Sequence, residues 1–195
     1  MGIILASASP RRREILTMLG VKDMRIIPAV GDELVPENVP PEEIVRALAL
    51  AKAREVAPLA REDEAVIAAD TIVYHKGRIF GKPHSRREAE DMLRELSGDT
   101  HSVFTGIAVI KNGRELCRAE ETKVSFRPLS EDEISAYIDS GEPMDKAGAY
   151  GAQGLASIFV QGIEGDFFNV MGLPVCLLDS MLGQFGMAFL STMQA

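Results

Sequence analysis

Ala65-Val66-Ile67-Ala68-Ala69-Asp70-Thr71-Ile72-Val73-Tyr74 is almost continuously apolar and β-branched, broken only by Asp70 and Thr71. A run of that kind reads as a strand at the centre of a sheet, buried on both faces. Lys76-Gly77 then reads as a turn and Arg78-Ile79-Phe80 as a hairpin partner. Asp70 stands out because a carboxylate in such a strand is costly to bury without a partner. It either bonds backbone amides near a strand end or acts as a metal ligand, a general base, or both. The hairpin can bring Lys82 towards it. A three-residue loop puts position 70 opposite 82 and a two-residue loop puts 71 there, and that slip decides which face Lys82 shares.

Working outward, Ile3-Ile4-Leu5-Ala6 reads as a short buried strand, followed by Ser7-Ala8-Ser9 and a helix. Ser9 suits the N-cap, Pro10 the first helical position and Gly20 the stop, with Ile15, Leu16 and Leu19 as the buried stripe. A second helix starts near Pro40-Pro41, its stripe being Ile44, Ala47, Leu48 and Ala51, with Lys52 beside the stripe's end. On the other side, Ser85 to Glu88 forms a capping box before Ala89, Met92, Leu93 and Leu96. Val103 to Ile110, the Asn112-Gly113 turn and Glu115 to Phe126 make the clearest hairpin. A second capping box, Ser130 to Glu133, opens a helix carrying Ile134, Tyr137 and Ile138 that stops at Gly141. Ser157 to Val160 reads as a strand, and Pro174 opens a final helix with Val175, Leu178 and Leu182. Strands and helices interleave, but two hairpins interrupt the alternation. The expected fold class is therefore α/β, a mixed twisted β-sheet flanked by helices, within a single domain covering 1–195.

Composition bounds the function. The chain has 195 residues, 46% hydrophobic and 26% charged, with a net charge of −8. The negative balance argues against nucleic-acid or anionic-membrane partners, which need a basic surface. With no Trp and 6% aromatic residues there is no row of rings for stacking bases. No stretch reaches the roughly 18 to 20 apolar residues of a membrane span, and the start has no basic segment of a signal peptide. Cys117 and Cys176 lie far apart with no CxxC, as in a reducing compartment, and a cytoplasmic location is expected.

Three further features carry chemistry. Ser7-Ala8-Ser9-Pro10-Arg11-Arg12-Arg13 puts three arginines at a helix N-terminus, which already bears partial positive charge. The turn is either a solvated basic surface paired to carboxylates or a phosphate site, in which hydroxyls, N–H groups and guanidinium groups converge on the anion. Asp32-Glu33 is a solvated pair or a second source of metal ligands, and Lys52 on its own reads as a surface residue. The stretch Gly141 to Gly154 is glycine-rich; it is a flexible loop or one whose backbone approaches a ligand, with Gln153 able to read the edge of a base through its amide. His75, His84 and His101 show no ligand spacing, which argues against zinc.

Taken in order, these segments resemble the Maf family over essentially the whole chain. The resemblance is carried by Leu5-Ala6-Ser7-Ala8-Ser9-Pro10-Arg11-Arg12, Ala69-Asp70-Thr71-Ile72-Val73, Gly81-Lys82-Pro83, and Ser97-Gly98 with His101-Ser102-Val103. Asp145-Lys146-Ala147-Gly148-Ala149-Tyr150-Gly151 with Gln153-Gly154, and Asn169-Val170 with Gly172-Leu173-Pro174, complete it. The resemblance implies a Maf/Ham1 (ITPase-like) fold with a cleft between two lobes, often a homodimer. It also implies hydrolysis of nucleoside triphosphates to the monophosphate and pyrophosphate with a divalent cation, Mg²⁺ or Mn²⁺. Asp70 falls on the family's proton acceptor and metal ligand, and Glu33 on a metal-associated carboxylate. Ser7, Arg11, Arg12, Lys52 and Lys82 fall on phosphate-binding positions. Arg11, Thr71 and Gln153 match the branch acting on dTTP and UTP. The contrasting expectation is a nucleotide-binding regulator of septum formation or division that does not hydrolyse what it binds.

Overall fold

The computed structural model describes residues 2–31 and 38–192. Gly2–Leu5 (β1) leads into Pro10–Met18 (α1), followed by Arg25–Ile26 (β2) and Pro41–Val56 (α2). Glu64–His75 (β3) and Arg78–Phe80 (β4) precede Arg86–Leu96 (α3), and Thr100–Lys111 (β5) and Arg114–Phe126 (β6) come next. Glu131–Asp139 (α4), Val160–Glu164 (β7), Phe167–Val170 (α5), Val175–Gly183 (α6) and Phe189–Thr192 (α7) complete the order. The sheet runs β2-β1-β3-β5-β6-β7, with β4 on β3. β1 is parallel to both β2 and β3, whereas β3–β4 and β6–β7 are antiparallel. This is the expected mixed α/β sheet. Both tight hairpins turn on two residues with positive φ, 45° and 82° at Lys76-Gly77 and 49° and 75° at Asn112-Gly113, the geometry that matches strand twist.

The chain clusters into two compact units: Met1–Asp70, Thr105–Glu120 and Gly172–Ala195 form the first, Thr71–Phe104 and Glu121–Met171 the second. In the first, α2 packs against alternate residues of the strands. Ile4, Ala6, Val66, Ala68, Ala108 and Ile110 meet Ala49, Ala53 and Val56, which places the even-numbered residues of β3 on the α2 face. The buried face of α2 is Ile44, Val45, Leu48, Ala49, Ala53 and Val56. Ala47 and Ala51, expected in the stripe, are exposed. The helix lies close on the sheet at one point, where a Cβ at Gly106 would sit 2.2 Å from the Val45 carbonyl oxygen.

In the second unit, α3 and α4 bury Leu93, Leu96, Ile134, Tyr137 and Ile138 in a core with Phe126, Tyr150 and Phe159. The Ser130–Glu133 capping box is complete. At α3 only half forms: the Ser85 hydroxyl accepts from the Glu88 N–H, but the Glu88 carboxylate takes the His84 N–H at 2.7 Å instead. Ser157 is not in a strand; Leu155–Phe159 is a 3₁₀ turn and β7 begins at Val160. Nor is α6 the last helix, because α7 follows it.

His101 is 2% exposed, its Nε2 2.7 Å from the Tyr150 hydroxyl and its Nδ1 without a hydrogen-bond partner. Burial first, and His75 second, push its pKa down to about 3, with Asp99 pulling weakly the other way. The unfolded imidazole titrates near 6.5, so between about pH 3 and 6.5 the unfolded chain binds the extra proton and stability rises with pH. On acidification below 6.5 the protein is expected to lose up to about 1.4 kcal/mol per pH unit from this group. His101→Gln should flatten the melting temperature against pH between 4 and 6.5; an unchanged acid limb would assign the loss to other groups.

Candidate active site

In the first unit, the parallel register places the chain leaving β1 beside the β3 segment that ends in Asp70. Leu5 pairs with Ile67, and the Ala6 N–H donates to the Ile67 oxygen at 2.8 Å. Asp70 lies three residues further along β3, about 10 Å. In open α/β sheets, ligand crevices form at the carboxyl ends of such strands.

The turn after β1 is organised by Ser7. Its Oγ accepts from the Ser9 N–H at 3.2 Å and from Arg12 Nη1 at 3.1 Å, while Arg12 Nε donates to the Gly172 oxygen at 2.8 Å. Arg12 is thus held at two points. The first turn of α1 contains no acidic residue, and Ser9 makes no side-chain cap bond. The positive end of the helix and the Arg12 guanidinium therefore meet at Ser7. Arg11 is half-buried and Arg13 exposed. The Arg12–Gly172 contact spans 160 residues and leaves no local signal in the sequence beyond the glycine itself.

Asp70 shares the parity of Val66 and Ala68 and so faces α2, where Lys52 Nζ donates to its Oδ1 at 2.5 Å. The side chains are only 19% and 11% exposed, so the pair is shielded from water. Lys52, read from sequence as a surface or phosphate-binding residue, is thus the partner that permits a carboxylate here. The position follows from the true face of α2, since Lys52 sits one residue before Ala53.

Of the two carboxylates of β3, Glu64 is paired with Arg25 at 2.7 Å and Asp70 with Lys52. No group of three or more His, Cys, Asp or Glu is arranged to hold an ion among the described residues; Glu33 lies outside them. Asp70, alone or with Glu33, would suit Mg²⁺ or Mn²⁺ taken up largely through substrate phosphates, because such ions keep few protein ligands. It does not suit a preformed all-protein cage.

Thr71, Lys82 and Gln153 belong to the second unit. The two-residue turn settles the hairpin register, with Val73 opposite Phe80 and Tyr74 opposite Ile79. Continued, that register puts Thr71, not Asp70, opposite Lys82, though pairing stops at Phe80. Lys82 and Gln153 are exposed. The glycine-rich stretch is closely packed: Gly148 has φ +68°, a Cβ there would lie 2.9 Å from Val73, and its N–H donates to the Gly81 oxygen at 3.0 Å. It is a built segment rather than a loose loop.

Comparison with known proteins bears on this arrangement. The chain is 50% identical over 186 residues to a dTTP/UTP pyrophosphatase of Moorella thermoacetica, covering 94% of this chain and 95% of that protein. It is 49% identical over 183 residues to a dTTP/UTP pyrophosphatase of Bacillus anthracis, covering 94% and 95%. Among solved structures, the Ham1 protein of Staphylococcus aureus superposes with a TM-score of 0.51 at 15% identity, covering 94% of this chain and 99% of that one, a likeness of fold. The family described as Maf-like protein matches residues 2–185, and the chain belongs to that family.

Proposed function

We propose that the protein hydrolyses nucleoside triphosphates, dTTP and UTP foremost, to the monophosphate and pyrophosphate. The observation that carries this is the shielded Lys52–Asp70 pair on the strand beside the Ser7–Arg12 turn. An acid-base group and an anion-binding turn are what cleavage of a polyphosphate needs. The names of the relatives supply the substrates.

In the proposed reaction, a water attacks the α-phosphorus and passes its proton to Asp70. The bond from that phosphorus to the bridging oxygen breaks, and pyrophosphate leaves. Ser7, Arg11 and Arg12 hold the phosphate oxygens, and the family resemblance adds Lys82 to them. Lys52 keeps the Asp70 carboxylate in one orientation through Oδ1, leaving Oδ2 for the proton. A divalent cation, Mg²⁺ or Mn²⁺, held by Asp70 with Glu33, would neutralise charge on the triphosphate and make the phosphorus more electrophilic. Arg11, Thr71 and Gln153 select the nucleotide. The protein works in the cytoplasm as a homodimer and has no nucleic-acid partner.

The test is a panel of nucleoside triphosphates with Mg²⁺ and with Mn²⁺, scoring pyrophosphate. Pyrophosphate from dTTP and UTP is the expected product. Orthophosphate would mean a phosphatase, and tight binding without turnover would mean a regulator. Gln153→Glu is expected to change the ranking of bases more than the turnover of the best substrate; an unchanged ranking would remove Gln153 from base selection.

A further inference from the structure

We propose that Tyr137 and Glu142 are positioning residues that set base selectivity by pinning both ends of the turn that carries Gln153. This rests on the reading that Gln153 contacts the base. The turn closes on itself, with the Gly154 N–H donating to the Gly151 oxygen at 3.0 Å. At its start, the Gly151 N–H donates to the Tyr137 hydroxyl at 3.3 Å. That hydroxyl donates to Glu142 Oε1 at 3.0 Å, and Glu142 Oε2 accepts the Leu155 N–H at 2.9 Å. One phenol and one carboxylate therefore bridge positions 151 and 155, with exposed Gln153 at the middle.

Each member of the bridge is itself held. The Tyr137 ring packs edge-on against Phe159 at 5.1 Å. Burial, then the Glu142 carboxylate, raise the phenol's pKa, so it stays protonated as a donor. Lys146 Nζ donates to the Glu142 backbone oxygen at 2.7 Å, and the Glu142 N–H donates to Ser140 Oγ at 3.2 Å. Space is exhausted as well: a Cβ on Gly154 would lie 2.2 Å from Glu142 Oε1, and one on Gly151 2.8 Å from Lys146 Cε.

The need for such a clamp follows from the amide. Thymine and uracil offer an oxygen acceptor where cytosine offers an amino donor. A glutamine amide carries both complements and can present either by rotating. Placement of its backbone then decides which is presented, and a turn free to shift would accept both. Holding the amide in advance removes that freedom before the nucleotide arrives.

The test compares kcat and KM for UTP and CTP in the wild type, Tyr137→Phe, Glu142→Ala, Gln153→Ala and the double variant Tyr137→Phe/Gln153→Ala. Tyr137→Phe keeps the ring and is expected to lower the UTP-to-CTP ratio of kcat/KM about tenfold, mainly through KM, with kcat for UTP within about threefold. The double variant should discriminate no worse than Gln153→Ala alone. If Tyr137→Phe fails to fold, as judged by near-ultraviolet circular dichroism, Glu142→Ala answers the same question from the other end of the bridge. A wild-type ratio in folded Tyr137→Phe or Glu142→Ala while Gln153→Ala loses it, or additive losses in the double variant, would overturn the inference. A wild-type ratio in Gln153→Ala would overturn the base-contact reading itself, and the inference with it.

Discussion

Asp70→Asn is expected to yield a folded protein that releases pyrophosphate from dTTP about 10³ times more slowly than the wild type. Asparagine is nearly isosteric, and its carbonyl oxygen can still accept from Lys52, whose ammonium approaches Oδ1 at 2.5 Å in the wild type. The strand therefore keeps its partner across to α2. What the amide cannot do is take a proton from water, nor can it offer a negative oxygen to a cation. Loss of turnover with little change in triphosphate affinity would mark a group that acts in the transition state. Near wild-type turnover would remove Asp70 from the chemistry and leave the Lys52–Asp70 pair a structural ion pair.

Gly106→Ala should have the largest effect on stability, about 3 kcal/mol or more, at the upper end of what overpacking a core costs. The added Cβ would meet the Val45 carbonyl oxygen at 2.2 Å, its carbon at 2.4 Å and the Arg46 nitrogen at 2.8 Å. All three are backbone atoms of α2, so no side-chain rotation relieves the clash. The helix would have to rise from the sheet, and Lys52 travels with it. Thermal melting is expected to fall by several degrees, at about 2–4 °C per kcal/mol for a chain of this size. Activity should fall in the same variant even where it remains folded. A melting temperature within a degree of wild type would mean that α2 sits less tightly on β5 than the geometry requires.

How far the sequence can be read depends on which signals are local. The β3 strand, both two-residue hairpin turns and the Ser130–Glu133 capping box are legible because the deciding residues lie within a few positions of one another. The face of α2 is not. Alanines stand at 47, 49, 51 and 53, and hydrophobic periodicity cannot rank two interleaved sets of the same residue. Packing against distant strands, where Ala49 and Ala53 meet Val66, Ala68 and Ala108, is what distinguishes the two sets. That same choice places Lys52 against Asp70, so the partner of the lysine is not legible until the face is known. Ser157 reads as strand from its apolar neighbours Ile158, Phe159 and Val160, yet the backbone makes a 3₁₀ turn first and enters β7 only at Val160. Glu88 departs from its capping box because the His84 N–H offers a competing donor one residue earlier.

The candidate site divides in the same way. Residue types and order point to Ser7, Arg12 and Asp70, but the link from Arg12 to the Gly172 carbonyl joins parts of the chain 160 residues apart. Tyr137 reads from sequence only as helix core, and Glu142 only as part of the glycine-rich stretch. Their bridge across the Gln153 turn is visible only when both its ends are placed.

The most direct measurement is a crystal structure of Asp70→Asn with dTTP and Mg²⁺, in which slow turnover preserves the substrate. The triphosphate should run along the Ser7–Arg12 turn, with guanidinium groups on its outer phosphates and the α-phosphate beside residue 70. A triphosphate bound elsewhere, with Arg11 and Arg12 contacting only protein or solvent, would contradict a shared site for the arginine turn and the β3 aspartate.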